Sequence, residues 1–290
     1  MKILITGGNG FIASNLNNKL SDHDITSISR ANFDLTNPDE TNIFFKDKKF
    51  DVVLHTAVIG GNRLVEDTKD CVYDNSIMVI NLIRNMKSWS RLIHFGSGAE
   101  LDRSKDIQGN TNNIFNRIPI DAYGLSKNII CRMMYGYENV YNLRIFNVFA
   151  ENETDRRMIK ANIKNYIEGK PIIIHQDKFM DFFYIDDFEK IVRLYLDGQY
   201  LPKEIDCVYK DKTKLSDVAK IINNLSDKKV PIVINSSEMG KSYCGHYEDL
   251  CNTLEYKGLE NSIRNVYESL LWKIYLLIIS QEISLLKILI

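Results

Sequence analysis

Short apolar runs alternate with stretches in which apolar residues recur every three or four positions, and the alternation persists from the first residue to about residue 150. Ile3, Leu4 and Ile5 form an unbroken β-branched and apolar run, as a strand covered on both faces requires. Gly7, Gly8 and Gly10 interrupt it, after which Phe11, Ile12, Leu16 and Leu20 take helical spacing that closes at Ser21-Asp22. Ile25, Ser27 and Ile28 predict a second strand. Asn37-Pro38-Asp39-Glu40 opens a helix, with proline in its first turn and acids where the dipole favours them, and Ile43, Phe44 and Phe45 are its expected buried face. Residues 51–57 predict a third strand, 64–87 one long helix with Asn75 and Asn81 among its apolar positions, and 91–98 a fourth strand.

From residue 151 the alternation loosens. Ile159, Ile163 and Ile167 predict a helix ended by Gly169-Lys170-Pro171, followed by a short strand at 172–174. A helix over 188–196 is opened by Asp186-Asp187, whose expected role is capping. Further helices are predicted at 215–225 and 254–271, with a strand at 231–234 between them. The apolar tail from Leu270 is interrupted by Lys273, Gln281, Glu282 and Lys287, short of the ~18 uninterrupted apolar residues of a membrane span. A buried or partner-facing terminal helix is expected there.

Composition narrows the classes. At 290 residues and a formal net charge of −1 the chain has room for two packed lobes and no basic face for nucleic acid. Five cysteines form no CxxC pair and no histidine cluster has ligand spacing, so neither a metal site nor a disulfide framework is expected. With no basic segment and apolar stretch ahead of the first strand, a cytoplasmic protein with reduced thiols is the expectation.

The strand, glycine turn and helix at the N-terminus point to a dinucleotide. Gly7 permits the turn, Gly10 lets the backbone approach a pyrophosphate, Ala13 allows close helix–strand packing, and the helix N-terminus offers N–H groups to phosphate. The second strand ends Ser29-Arg30, where a guanidinium favours the 2′-phosphate of NADP, with NAD the alternative. Asp34 and Leu35 are placed on the adenine side. Ala57, ending the third strand before Gly60-Gly61, leaves room for a cofactor, and His55 is expected to be a hydrogen-bonded structural histidine. The expected fold is therefore α/β: a Rossmann, doubly wound parallel sheet in residues 1–150, to which 183–198 return, with a smaller mixed α/β substrate-binding lobe in 151–290.

Ser97 is delivered to the carboxyl end of the sheet, where ligands of such folds bind. Tyr123 precedes Lys127 by four residues, which on a helix sets phenol and ammonium on one face, and a neighbouring ammonium lowers a phenol's pKa. Together, Thr6-Gly7-Gly8-Asn9-Gly10-Phe11-Ile12-Ala13, Ser97 and Tyr123-Gly124-Leu125-Ser126-Lys127 resemble the extended short-chain dehydrogenase/reductases, the nucleotide-sugar epimerase, dehydratase and 4-reductase group. The segments 143–149 and 181–187 are similar to that group's strand after the catalytic helix and to its Arg-Asp-Phe-x-x-Val-Asp-Asp segment.

The resemblance implies a hydride exchanged between NADP, or NAD, and a sugar carbon. Tyr123 is the implied general acid, Ser97 a hydrogen-bond donor to the same oxygen, and Lys127 the partner of Tyr123 and of the nicotinamide ribose. Gly7, Asn9, Gly10, Phe11, Ile12, Ser29, Arg30, Asp34, Leu35, Ala57, Tyr123 and Lys127 are the implied cofactor contacts, and Ser97, Ala99, Asn147 and Arg157 the substrate contacts. The chain looks most like the GDP-fucose-synthase-like 4-ketoreductases, yet Ala99 and Arg157 stand where these use a Cys and a His to epimerise, so ketoreduction without C3/C5 epimerisation is expected. Gly98-Ala99 likewise lacks the Asp-Glu of dehydratases. Met180 replaces the group's arginine, leaving Arg144, Arg156, Arg157 or Lys178 to bind the diphosphate. The alternatives are an NAD-dependent nucleotide-sugar epimerase and a non-catalytic NADP-sensing regulator. The group also implies a homodimer formed through the 64–87 and Tyr-Lys helices.

Overall fold

A computed structural model describes residues 1–61, 66–109, 113–198 and 201–288. Its strands are β1 (Lys2–Thr6), β2 (Asp24–Ile28), β3 (Phe50–His55), β4 (Trp89–Ser97), β5 (Val140–Ile145), β6 (Val148–Phe149), β7 (Ile172–Gln176), β8 (Phe183–Tyr184), β9 (Glu204–Cys207) and β10 (Ile232–Ser236). The helices are α1 (Phe11–Lys19), α2 (Pro38–Phe45), α3 (Asp70–Arg84), α4 (Ala122–Met134), α5 (Met158–Glu168), α6 (Ile185–Asp197), α7 (Leu215–Asn223) and α8 (Leu259–Ile288).

Six strands form one sheet in the order β2-β1-β3-β4-β5-β9, every pair parallel. The two-residue period of β1 explains how both faces are filled: Ile3 and Ile5 pack with Leu16 of α1 and Phe188 of α6, while Leu4 packs with Phe45 of α2, Val79 of α3 and Ile130 of α4. The order reverses between β1 and β3, the switch point at which ligands of such sheets bind. Beyond the expected return of 183–198, the sheet also takes its last strand, β9, from the second half of the chain. The remaining residues build two parallel pairs, β7 with β10 and β6 with β8.

Several expectations shift for local reasons. The long helix is α3 alone, Asp70 to Arg84; residues 62–65 lie outside the described residues, and Asp67 is drawn off by the Gly61 N–H, 2.7 Å from its Oδ1. In α2, Ile43 is exposed and Thr41 and Phe45 are buried, because two helical steps turn Ile43 through about 200° from both. Asp186 and Asp187 sit in the first turn of α6 but do not cap it; Tyr184 is the cap residue. Asp186 instead pairs with Lys19 and Lys257, and the buried Asp187 accepts the Tyr209 hydroxyl (2.6 Å) and the Lys257 N–H (3.0 Å). The last helix runs past residue 271 to Ile288: Ile263, Val266 and Leu270 are buried, whereas Leu271, Trp272, Ile274, Tyr275 and Leu276 are exposed rather than buried. No helix among the described residues is long and apolar enough to cross a membrane.

Candidate active site

The glycine turn is wedged between two strand ends. Gly7 adopts φ +69°, and a Cβ there would stand 2.8 Å from the Ala57 backbone, so a side chain is excluded by conformation and by contact. Gly8 donates its N–H to Ile28 O at 2.7 Å, tying the turn to β2. Gly10 begins α1 without any side-chain cap, and a Cβ on it would meet only Gly7 O. With Asn9 exposed and Phe11 and Ile12 half-buried, first-turn N–H groups of α1 face an open edge, which fits a dinucleotide's pyrophosphate. At the end of β2, Ser29 bonds Asn32 through its N–H and hydroxyl, and Arg30 is exposed. Asp34 accepts the N–H and hydroxyl of Thr36, which hold its carboxyl below the usual range. The Leu35 side chain turns into the core instead.

The reaction centre stands at the carboxyl ends of β4 and β3. Asp121 caps α4 through the Gly124 N–H at 2.8 Å, and a Cβ on Gly124 would lie 2.8 Å from Ala99 O. This glycine lets the helix bring Tyr123 up to the turn after Ser97, whose side chain acts on the phenol. Ser97 Oγ also accepts Ala99 N–H at 3.2 Å.

The expected pairing of Tyr123 with Lys127 is not what the site contains. Lys127 Nζ donates to Phe95 O at 2.7 Å and faces His94 Nε2 at 3.3 Å, below the sheet edge. Burial pushes the Tyr123 phenol up to about 12, outweighing the opposing pull of Ser97 and Arg103, and burial takes the Lys127 amine down to about 8. The cation against the Tyr123 ring is Arg103, 5.7 Å from its centroid and paired with Asp121 at 2.6 Å. On its other side the phenol supports Gly61, where a Cβ would stand 2.8 Å from Cε2. The loop bearing Gly61 is fixed by Asn75 of α3, which exchanges two hydrogen bonds with Ile59 (2.8 and 2.9 Å) and donates a third to Ser126.

A cleft of about 720 Å³ opens beside Tyr123, lined by Gly61, Asp67, Arg103, Lys178, Lys241 and Tyr243 among others. Of the four cations expected to replace the group's arginine, Lys178 alone lines it. Arg144 is buried against Glu100, Glu204 and Asp206, Arg156 is exposed, and Arg157 reaches Glu153 and Val148 O. Met180 is packed in the core. Ala99 is buried under α4, and Asn147 gives its amide to Asp181 O at 2.8 Å, joining β6 to β8 rather than facing the cleft. Sequence reading missed Arg103, Lys241 and Tyr243. Arg103 follows Ser97 by six residues, a detectable signal, whereas Tyr243, whose hydroxyl would lie 2.7 Å from a Cβ on Gly98, is brought in from the second half by β-bridges to Ile107 and Met180.

A model of the NAD dependent epimerase/dehydratase family matches residues 3–204. A putative UDP-glucose 4-epimerase from Methanocaldococcus jannaschii is 28% identical over 222 residues, 65% of this chain and 71% of that protein. GDP-L-fucose synthetase from Naegleria fowleri, solved with NADP, superposes with a TM-score of 0.76 at 17% identity and covers 94% of each chain. UDP-glucose 4-epimerase from Thermotoga maritima, solved with UDP-glucose, gives 0.77 at 16% identity over 94% of this chain and all (100%) of that one. A reductase and an epimerase fit the fold equally well, so substrate and direction rest on the residues.

Proposed function

Because the chain belongs to the NAD dependent epimerase/dehydratase family, a family of NAD(P)-dependent enzymes, we propose that it reduces a nucleotide-linked 4-keto-6-deoxyhexose with NADPH. One observation carries the direction: Tyr123 stands at the turn after Ser97, and burial holds its phenol protonated throughout the neutral range. A protonated phenol is a general acid, which reduction needs and oxidation does not. When bound, NADPH would supply the hydride that reduces C4 of the sugar. Tyr123 gives its proton to the carbonyl oxygen as negative charge develops there, and Ser97 donates a hydrogen bond to the same oxygen. Arg30, exposed where β2 ends, is the residue to meet a 2′-phosphate, which favours NADP. Arg103, Lys178 and Lys241, set in the cleft among Glu66, Asp67 and Glu238, are the cations to meet a diphosphate.

Ala99 has no proton to exchange and Arg157 does not deprotonate, so C3 and C5 are left as they arrive. The likeness to a putative UDP-glucose 4-epimerase favours a second reading, NAD-dependent 4-epimerisation. NADPH fluorescence, followed while GDP-, UDP- and dTDP-linked 4-keto-6-deoxy sugars are added, separates the two. Oxidation is expected with one of them, without solvent deuterium entering at C3 or C5. Tightly retained nucleotide and no net oxidation would make the chain an epimerase, and NADPH binding with no turnover of any sugar a sensor.

A further inference from the structure

Lys127 reaches away from Tyr123 into a chamber beneath the sheet's carboxyl edge. Its Nζ touches Phe95 O (2.7 Å) and His94 Nε2 (3.3 Å), both on β4. Behind His94 lies the His55 ring of β3, 5.3 Å away between centroids, and His55 Nδ1 is 2.8 Å from the hydroxyl of Thr6, the residue before the glycine turn. All four side chains are buried: Thr6, His55 and His94 are each 1% exposed and Lys127 3%. A polar line thus joins the glycine turn to the lysine inside the core. Nothing in the family role of a catalytic lysine calls for a histidine at its ammonium.

The chemistry of the contact is constrained. An ammonium has only N–H groups to offer, so Nε2 facing it must accept. The ring's own proton then sits on Nδ1, which is buried and has no hydrogen-bond partner among the described residues. That is an unfavourable place for an N–H, and a neutral imidazole left to itself would move the proton to Nε2. The other titratable groups around the amine are the Glu100 carboxyl after β4, the Cys71 thiol of α3 and His55 of β3. Glu100 and Cys71 favour the ammonium, while burial and the Lys127 charge keep both histidines neutral.

We propose that His94 is a positioning residue for Lys127: its Nε2 accepts a hydrogen bond that keeps the buried amine an ammonium at neutral pH, and the ammonium in turn holds His94 in its Nδ1–H tautomer. The tautomer of His94 therefore reports the charge of Lys127. The bearing on catalysis rests on the reading that Lys127 serves the reaction as a cation; the tautomer linkage does not.

With five histidines in the chain, 15N-imidazole spectra of the cofactor-free protein are tractable, and His94→Gln assigns the signal. His94 is expected as Nδ1–H at pH 6.5, converting to Nε2–H with a midpoint near the lysine's value of about 8, and as Nε2–H at every pH in Lys127→Met. An Nε2–H signal at pH 6.5 in the unmodified protein, or one tautomer from pH 6.5 to 10, overturns the proposal. In turnover, His94→Phe should move the alkaline limb of the kcat profile to lower pH by half a unit or more, and His94→Gln, which keeps an acceptor, should restore it. An unmoved limb in a folded His94→Phe also overturns it. Absence of turnover with any sugar would remove the functional reading while leaving the spectra fully informative.

Discussion

Burial lifts the Tyr123 phenol further above neutral pH than a free tyrosine, against the pull of Ser97 and Arg103, so its proton is firmly held. Tyr123→Phe is therefore expected to lower kcat by at least about 100-fold, the smaller end of what a general acid contributes, with NADPH affinity by fluorescence titration nearly unchanged. A mutant that keeps most of its activity would remove the mechanism. Ser97, Tyr123 and Lys127 were legible in the sequence because strand-end position and four-residue spacing are local properties. Where Lys127 Nζ points was not, since helical spacing sets the face and leaves the choice between Tyr123, His94 and Phe95 O to the packing of α4 on β4. The same limit hid Tyr243, whose partners Ile107 and Met180 lie many residues away in sequence, whereas Arg103, six residues after Ser97, could have been read.

Among the elements, the loop of Gly60 and Gly61 rests on the Tyr123 phenol. Gly61→Val forces a β-branched residue into φ +78° and into the Tyr123 ring, so kcat should fall sharply while the melting temperature drops little, because Gly61 itself is exposed. Equal loss of both would show that the loop supports the fold instead. Strands and helices of the first half were readable from their periods, but the reading of Ile43 as buried and of Asp186-Asp187 as caps failed where a short helix or a tertiary partner decided the outcome.

The buried cluster across β5 and β9 gives a prediction with a defined sign. Glu100 is raised to about 7 from an ordinary value of 4.5, chiefly by burial and against the pull of Arg144. Its folded form binds the proton more tightly, so its contribution to stability is fully present below pH 4.5 and is lost as pH rises through 7. Glu100→Gln should therefore gain melting temperature relative to the unmodified protein between pH 5 and pH 8, and a gap that is constant or shrinks for the variant would contradict this. Arg144→Leu, which strands Glu204 and Asp206 without their cation, should cost about 3–5 kcal/mol in denaturant unfolding.

For the molecule as a whole, the cleft draws its cations from two distant stretches, Arg103 from the turn after β4 and Lys178 and Lys241 from the second half. Arg103→Ala and Lys241→Ala should each raise KM for the sugar nucleotide several-fold, more steeply at low salt, with KM for NADPH unmoved; an equal effect on both ligands would place these cations elsewhere in the cycle. Of these cleft cations only Lys178 was read from the sequence, because the group's arginine position is occupied by buried Met180 and Arg103 and Lys241 come from loops without periodic pattern.

The last strand of the sheet, β9, has its own consequence for how the chain can be made and recombined. A ribosome must complete residue 207 before β5 acquires its outer neighbour and Arg144 meets Glu204 and Asp206. A fragment ending near residue 150 would expose an unpaired strand edge, the surface on which chains stick to one another. Exchange of C-terminal halves between relatives therefore has no clean junction at 150: a chimera that keeps the six-stranded sheet must inherit β9 with the N-terminal half, so the sheet is built from two separate segments of chain rather than a single cassette.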